Sequence, residues 1–182
     1  MTRPASVAGR DHARLFCALR LPPDVIDAIE GWGKASLAER IVSRANLHIT
    51  TAFLGRRPLE ELDAICDATR AAAEQAAPIV LEAIRYRETR SVGMLVLSDA
   101  GGAATALADD LHRRLERLGV YRREARPWLP HLTVVRFRTR PRLDPPLPAL
   151  GPFSPSDAAV YHSVLRSSGA QYEVVESFAL GG

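Results

Sequence analysis

The sequence predicts an α+β protein built mainly from antiparallel sheets. Strand-like apolar runs follow one another with few residues between them, too few for the crossovers that parallel pairing needs. Three other segments carry helical spacing. At 182 residues the chain suits one domain or two small, intimately packed lobes. Residues 1–182 are therefore read as a single domain, with 1–13 a flexible leader.

After that polar leader, residues 14–19 (Arg-Leu-Phe-Cys-Ala-Leu) read as the first strand. Pro22-Pro23-Asp24 opens a helix with Val25, Ile26 and Ile29 on its apolar stripe, proline being tolerated in a first turn. Residues 41–42 and 47–54 read as strand, ending at Gly55. Pro58 starts a second helix, with Leu59, Leu62, Ile65, Cys66 and Thr69 at helical spacing, and Pro78 closes it. Residues 79–84 and 92–97 look like paired strands joined through an arginine-rich turn, residues 85–90. A third helix over 103–118 carries Leu107, Leu111, Leu115 and Leu118, with Gly119 as its natural stop. Residues 132–137 are the next strand, and Pro141, Pro145, Pro146 and Pro148 mark an ordered surface loop. The tail pairs residues 158–165 with 172–178 around Ser167-Ser168-Gly169, so the last strand is expected to belong to the fold.

Composition narrows the class. Hydrophobic content of 47% and charged content of 25% are those of a globular chain. No apolar run approaches the ~20 residues needed to span a bilayer, and residues 1–9 hold no apolar signal segment. Cys17 and Cys66 show no CxxC spacing, so both thiols are expected to be reduced and buried, in a monomeric cytoplasmic protein without membrane partners. Of 24 basic residues only Lys34 is lysine. Arginine's planar fork suits phosphate, although a coding bias would give the same composition.

Function rests on a repeated motif. His48-Ile49-Thr50 and His131-Leu132-Thr133 stand 83 positions apart, each in a strand-like run. In a strand, positions i and i+2 share a face, so each strand presents one imidazole and one hydroxyl to the same side. Two such strands related by an approximate two-fold would place imidazoles on opposite sides of a central point. That is the arrangement in-line phosphoryl transfer needs: one ring takes a proton from the attacking oxygen and the other gives one to the leaving oxygen. The threonine hydroxyls can donate to the non-bridging phosphate oxygens. A single His-x-Thr is more often a half-buried polar pair than a catalyst; it is the repetition that points to chemistry. A metal site would want carboxylates or a third histidine at ligand spacing. No Asp or Glu lies within four residues of either histidine, and HExxH and HxH are absent. His12, His112 and His162 are scattered, and His112, beside Arg113 and Arg114, reads as a solvated residue.

At these residues the sequence resembles the 2H phosphoesterase superfamily, and within it the RNA 2',3'-cyclic phosphodiesterases, also called 2'-5' RNA ligases. The resemblance extends over Arg14-Leu15-Phe16, Asn46-Leu47-His48-Ile49-Thr50 with Phe53-Leu54-Gly55, Pro130-His131-Leu132-Thr133, and Ser163, Leu165, Ser168-Gly169 and Tyr172. It implies two pseudo-symmetric lobes of antiparallel sheet with flanking helices around a cleft. It also implies His48 as proton donor, His131 as proton acceptor, Thr50 and Thr133 as phosphate binders, and no cofactor. Arg136 matches an arginine five residues after the second histidine. Strand parity puts that odd offset on the wrong face, so a bulge or strand end is required. Residues 40–46 lack the Trp and Pro-Glu common there in relatives. Phe53 and Tyr172 are candidates for stacking on a base or for the core.

The implied reaction is metal-independent hydrolysis of a 2',3'-cyclic phosphate to a 2'-phosphate, on RNA ends or small cyclic nucleotides. An RNA 5'-hydroxyl in place of water gives ATP-independent 2'-5' ligation through the same transition state. A non-catalytic RNA-end binding protein and a 2'-5' oligonucleotide phosphodiesterase are the alternatives.

Overall fold

The computed structural model describes residues 7, 9–37, 41–166 and 169–181. Its strands are β1 (His12–Leu19), β2 (Ile49–Pro58), β3 (Glu82–Glu88), β4 (Val92–Ser98), β5 (His131–Arg136), β6 (Ala158–Arg166) and β7 (Gly169–Phe178). The helices are α1 (Pro23–Ser36), α2 (Leu62–Glu74) and α3 (Ala103–Arg117), with short 3-10 turns at Arg44–Asn46 and Leu59–Glu61. One sheet has the order β2-β1-β6-β7 and the other β3-β4-β5. All five pairings are antiparallel: β3-β4 and β6-β7 are joined by short turns, whereas β1-β2 and β4-β5 are joined through α1 and α3 and β1 pairs with the distant β6.

The chain starts one sheet, leaves to build the other, and returns to finish the first. Leu15, Leu19 and Ile49 of the first sheet and Leu95 and Leu132 of the second join Leu111 and Leu115 of α3 in one buried cluster. A smaller cluster of Phe16, Ala18, Ala159 and Tyr161 covers the other face of β1 and β6, with Tyr172 and Val174 packed against it. No helix among the described residues is long and apolar enough to cross a membrane.

Several boundaries differ from the sequence reading, each for a local reason. Val7 is buried in the core and β1 begins at His12, so both lie inside the stretch read as leader. Gly55 does not end β2. It takes a left-handed φ of +72° at a register shift, and pairing with β1 continues to His12 opposite Pro58. Pro58 therefore leads into a 3-10 turn, and α2 starts at Leu62. The arginine-rich segment is strand rather than turn: Arg85, Tyr86, Arg87 and Glu88 pair with β4, while Leu81 makes only an isolated bridge to Phe153. Ser167 and Ser168 of the expected last turn lie outside the described residues.

The proline-rich loop is held from both sides. Buried Glu88 accepts from Arg140 Nε and from the backbone N–H groups of Arg142 and Leu143. Trp32 Nε1 donates to Pro146 O.

Candidate active site

The two motifs occupy edge strands of different sheets. Ile49 and Thr50 open β2, with His48 immediately before it, and His131 opens β5. The sheets meet beside them: Ile41 bridges Val135 and the Val42 N–H donates to Val134 O at 2.9 Å. The segment before the first motif thus serves as an extra partner for the strand bearing the second.

Each imidazole is oriented by the same backbone device. His48 Nδ1 lies 2.8 Å from Asn46 O, and His131 Nδ1 lies 2.8 Å from Leu129 O. A carbonyl only accepts, so both Nδ1 atoms carry a proton and Nε2 is left on each ring as the atom that can exchange one. His48 Nε2 accepts from the Thr50 hydroxyl at 3.0 Å.

Each strand also bulges at the residue three positions after its histidine. On β2, Thr50 pairs with Ala18 and Ala52 with Cys17, leaving Thr51 extra. On β5, Thr133 pairs with Met94 and Val135 with Gly93, leaving Val134 extra. A bulge reverses the alternation of faces beyond it. Val134 and Val135 are accordingly both buried, and Arg136 returns to the face of His131 and Thr133. The parity objection to Arg136 is removed in this way. Phe53, five residues after His48, is brought out by the matching bulge; it is 57% exposed and therefore not core.

A cavity of about 650 Å³ is lined by His48, Thr50, Phe53, Thr133, Arg136 and Tyr172, among others. A second, of about 280 Å³, contains His131 and shares Thr50 and Phe53 with the first. All five residues expected at the site thus border two cavities that meet at Thr50 and Phe53.

The surroundings of the two rings differ. His48 packs against Phe16, Tyr161 and Tyr172, with ring centroids 4.9, 5.7 and 5.2 Å away. Burial pushes its pKa down to about 4, helped by repulsion from His131 and Arg136 and opposed by the bond to Asn46 O. His48 is consequently neutral near pH 7. Asn46 braces this side, donating to Ala170 O at 2.9 Å and accepting from the Tyr172 N–H at 3.2 Å. Arg136 reaches the Tyr172 hydroxyl at 3.5 Å.

Side chains from elsewhere also hold the first motif. Trp128 Nε1 donates to Thr50 O at 3.0 Å, and His112 Nε2 donates to Thr51 O at 2.8 Å. His112 is therefore a buried structural residue stacked on Tyr121, not a solvated one. Because Trp128 lies three residues before His131, it ties one motif's strand to the approach of the other. The sequence carried a partial signal for Asn46, which directly precedes the first motif. It carried none for the bulge carbonyl that His112 caps.

Both cysteines are free and buried, with burial pushing each thiol up to about 12, so neither is a nucleophile near neutrality. Among the described residues no three His, Cys, Asp or Glu side chains gather where they could hold a metal ion.

Residues 20–170 match the family model of the 2'-5' RNA ligase superfamily. The chain belongs to that superfamily. TT0787 of Thermus thermophilus has a similar structure at 30% identity and TM-score 0.79, covering 93% of this chain and 98% of that one. Escherichia coli LigT in its apo form is similar at 24% identity and TM-score 0.78, covering 95% and 100%. Structures of the same fold include LigT complexed with phosphate and with 3'-AMP. No curated protein sequence matches the chain.

Proposed function

We propose that this superfamily member is a 2',3'-cyclic phosphodiesterase acting on RNA ends or small cyclic nucleotides. His48 is the proton donor and His131 the proton acceptor, and the reaction uses no metal or cofactor. The carrying observation is the pair of imidazoles, each fixed through Nδ1 so that Nε2 is the atom left for proton transfer, and each followed two residues on by a threonine. Phosphate and 3'-AMP in LigT, a protein of the same fold, support a phosphate-centred ligand here.

Water attacks phosphorus and gives its proton to His131 Nε2. The bond from phosphorus to O3' breaks, and O3' takes a proton from His48 Nε2, leaving a 2'-phosphate. Thr50, Thr133 and the Arg136 guanidinium meet the non-bridging oxygens, where charge develops. The free site holds His48 neutral, so its donor role requires a proton that arrives with substrate. The phosphate's negative charge offsets the repulsion from His131 and Arg136, and binding takes up that proton. With an RNA 5'-hydroxyl as nucleophile, the same two transfers form a 2'-5' linkage.

The test is turnover of a 2',3'-cyclic nucleotide in EDTA by the wild type, His48→Ala and His131→Ala. The expected result is full activity with chelator and a loss of about a thousandfold in either variant. Activity abolished by EDTA, or untouched by both substitutions, overturns the reading. An inactive wild type that still binds cyclic-phosphate RNA ends would instead indicate a binding protein.

A further inference from the structure

The proline-rich strap that follows β5 is fastened to a charged residue that the proposed chemistry does not use. Glu88 lies on the core face of β3, with its side chain 2% exposed. A carboxylate there costs stability unless its oxygens are partnered. Its partners come from the strap: Arg140 Nε at 3.0 Å, the Arg142 N–H at 3.0 Å and the Leu143 N–H at 2.8 Å. Burial alone would raise the Glu88 carboxyl, but these three donors hold it below the usual carboxylate range, so it is charged near neutrality. Arg142 takes a left-handed φ of +61°, which turns two successive N–H groups onto one carboxylate. A well-packed apolar side chain would stabilise this spot as well or better. What the carboxylate supplies is a fixed position for the strap.

Sheet register indicates what that fixing serves. Glu88 is opposite Gly93, and Gly93 is opposite Val135. Directly opposed residues share a face, so Glu88 lies in line with the β5 bulge, on the side away from the cleft. Tyr86, two residues earlier on the same face, donates to Glu88 Oε1 at 3.4 Å. Its hydroxyl occupies the space over Gly93, where a Cβ would collide with it. Arg136 follows the bulge as the last residue of β5, and the strap starts at the next residue, where the Phe137 N–H donates to Ser91 O at 3.1 Å. The Arg136 guanidinium has a long contact to the Tyr172 hydroxyl, 3.5 Å, and no ion pair among the described residues. Its aim is therefore set by the backbone that carries it, and Glu88 touches that backbone's supports on both sides.

We infer that Glu88 is a positioning residue, which clamps the strap and, through Tyr86, the β5 bulge, and so aims the Arg136 guanidinium at the phosphate in the cleft. This rests on Arg136 being a phosphate contact in the proposed reaction and deepens that reading. Glu88 itself touches no substrate, and its effect travels only through Arg136.

The test is a cycle of the wild type, Glu88→Gln, Arg136→Ala and the pair, read as kcat for a 2',3'-cyclic nucleotide and as the Kd of inorganic phosphate. Inorganic phosphate carries more charge than the cyclic diester, so it reports the Arg136 contact without turnover. Glutamine keeps the side chain's size but places an amide donor against the strap's donors. Glu88→Gln should lower kcat about tenfold, leave KM within about a factor of two and weaken phosphate about threefold, the scale of a misaimed contact. With Arg136 already alanine it should lower neither quantity further, although the denaturation midpoint falls equally in both backgrounds. If Glu88→Gln fails to fold, Arg140→Ala removes one donor from an exposed side chain and repeats the cycle, with about a threefold loss of kcat expected. Equal losses in both backgrounds, or no loss with Arg136 present, overturn the assignment and leave Glu88 a purely structural residue. A wild type that binds phosphate with this dependence on Glu88 but turns over no cyclic nucleotide overturns the cyclic phosphodiesterase reading alone. A wild type that does neither overturns both.

Discussion

The two His-x-Thr strands are alike in backbone and unlike in surroundings. Both histidines are held through Nδ1 by a carbonyl two residues back, and both strands bulge at the third residue after the histidine. The fifth residue after each histidine therefore faces the cleft. On the first strand that residue is Phe53, and on the second it is Arg136. Around His48 stand aromatic rings, and His131 borders a smaller, arginine-edged cavity. One backbone device thus carries two environments. The apolar one favours a neutral imidazole and a base-stacking surface, and the charged one favours phosphate.

The second bulge is the most sensitive place to break this likeness. Gly93 opposes the bulged stretch of β5, and a Cβ there would stand 2.6 Å from Val135 Cγ1 and closer still to the Tyr86 hydroxyl. Gly93→Ala should shift β5, withdraw Arg136 and lower kcat/KM about a hundredfold, while costing roughly 2 kcal/mol of stability from overpacking. Arg136→Ala should show a similar kinetic loss with little change in denaturation midpoint. Matching midpoints for the two variants would argue that Gly93 has no part in setting the bulge.

A smaller effect is expected on the first strand. Phe53→Ala should raise KM for a cyclic nucleotide about tenfold and leave kcat within a factor of two, since base stacking is worth ~1–3 kcal/mol. Arg136→Ala should act chiefly on kcat. If both variants move the same parameter, the division between a stacking side and a charged side fails.

These contrasts also mark what the sequence could reveal. Strand periodicity and repetition were enough to find His48, Thr50, His131 and Thr133, because i and i+2 face one way whatever surrounds them. Periodicity alone placed Arg136 on the wrong face and left Phe53 between base stacking and the core, since it does not reveal a one-residue bulge. The end of β3 was hidden for another reason: residues 85–90 are polar enough to resemble a turn, yet Arg85, Tyr86, Arg87 and Glu88 pair with β4. His112 was misread because its neighbours on α3 are charged, whereas its own position faces Thr51.

The last prediction concerns stability and pH. His48 is depressed to about 4 in the fold against 6.5 as its ordinary value, so the unfolded chain binds its proton first as pH falls. The stabilising contribution is fully present above about pH 6.5 and is lost as pH falls toward 4. His162, also lowered by burial, adds to the same limb. Denaturation midpoints measured between pH 4 and 7 should fall less steeply for His48→Gln than for the wild type. Parallel curves would contradict the burial assigned to His48.

The central claim is that the two motifs act as one unit in a single proton-relayed displacement. Its most direct test is a double-mutant cycle on kcat for a 2',3'-cyclic nucleotide, using His48→Ala, His131→Ala and the pair. The account predicts that the double variant is about as slow as either single one, because losing one transfer already disables the other. Losses that multiply would contradict it, and would make the two histidines independent contributors rather than two ends of one reaction.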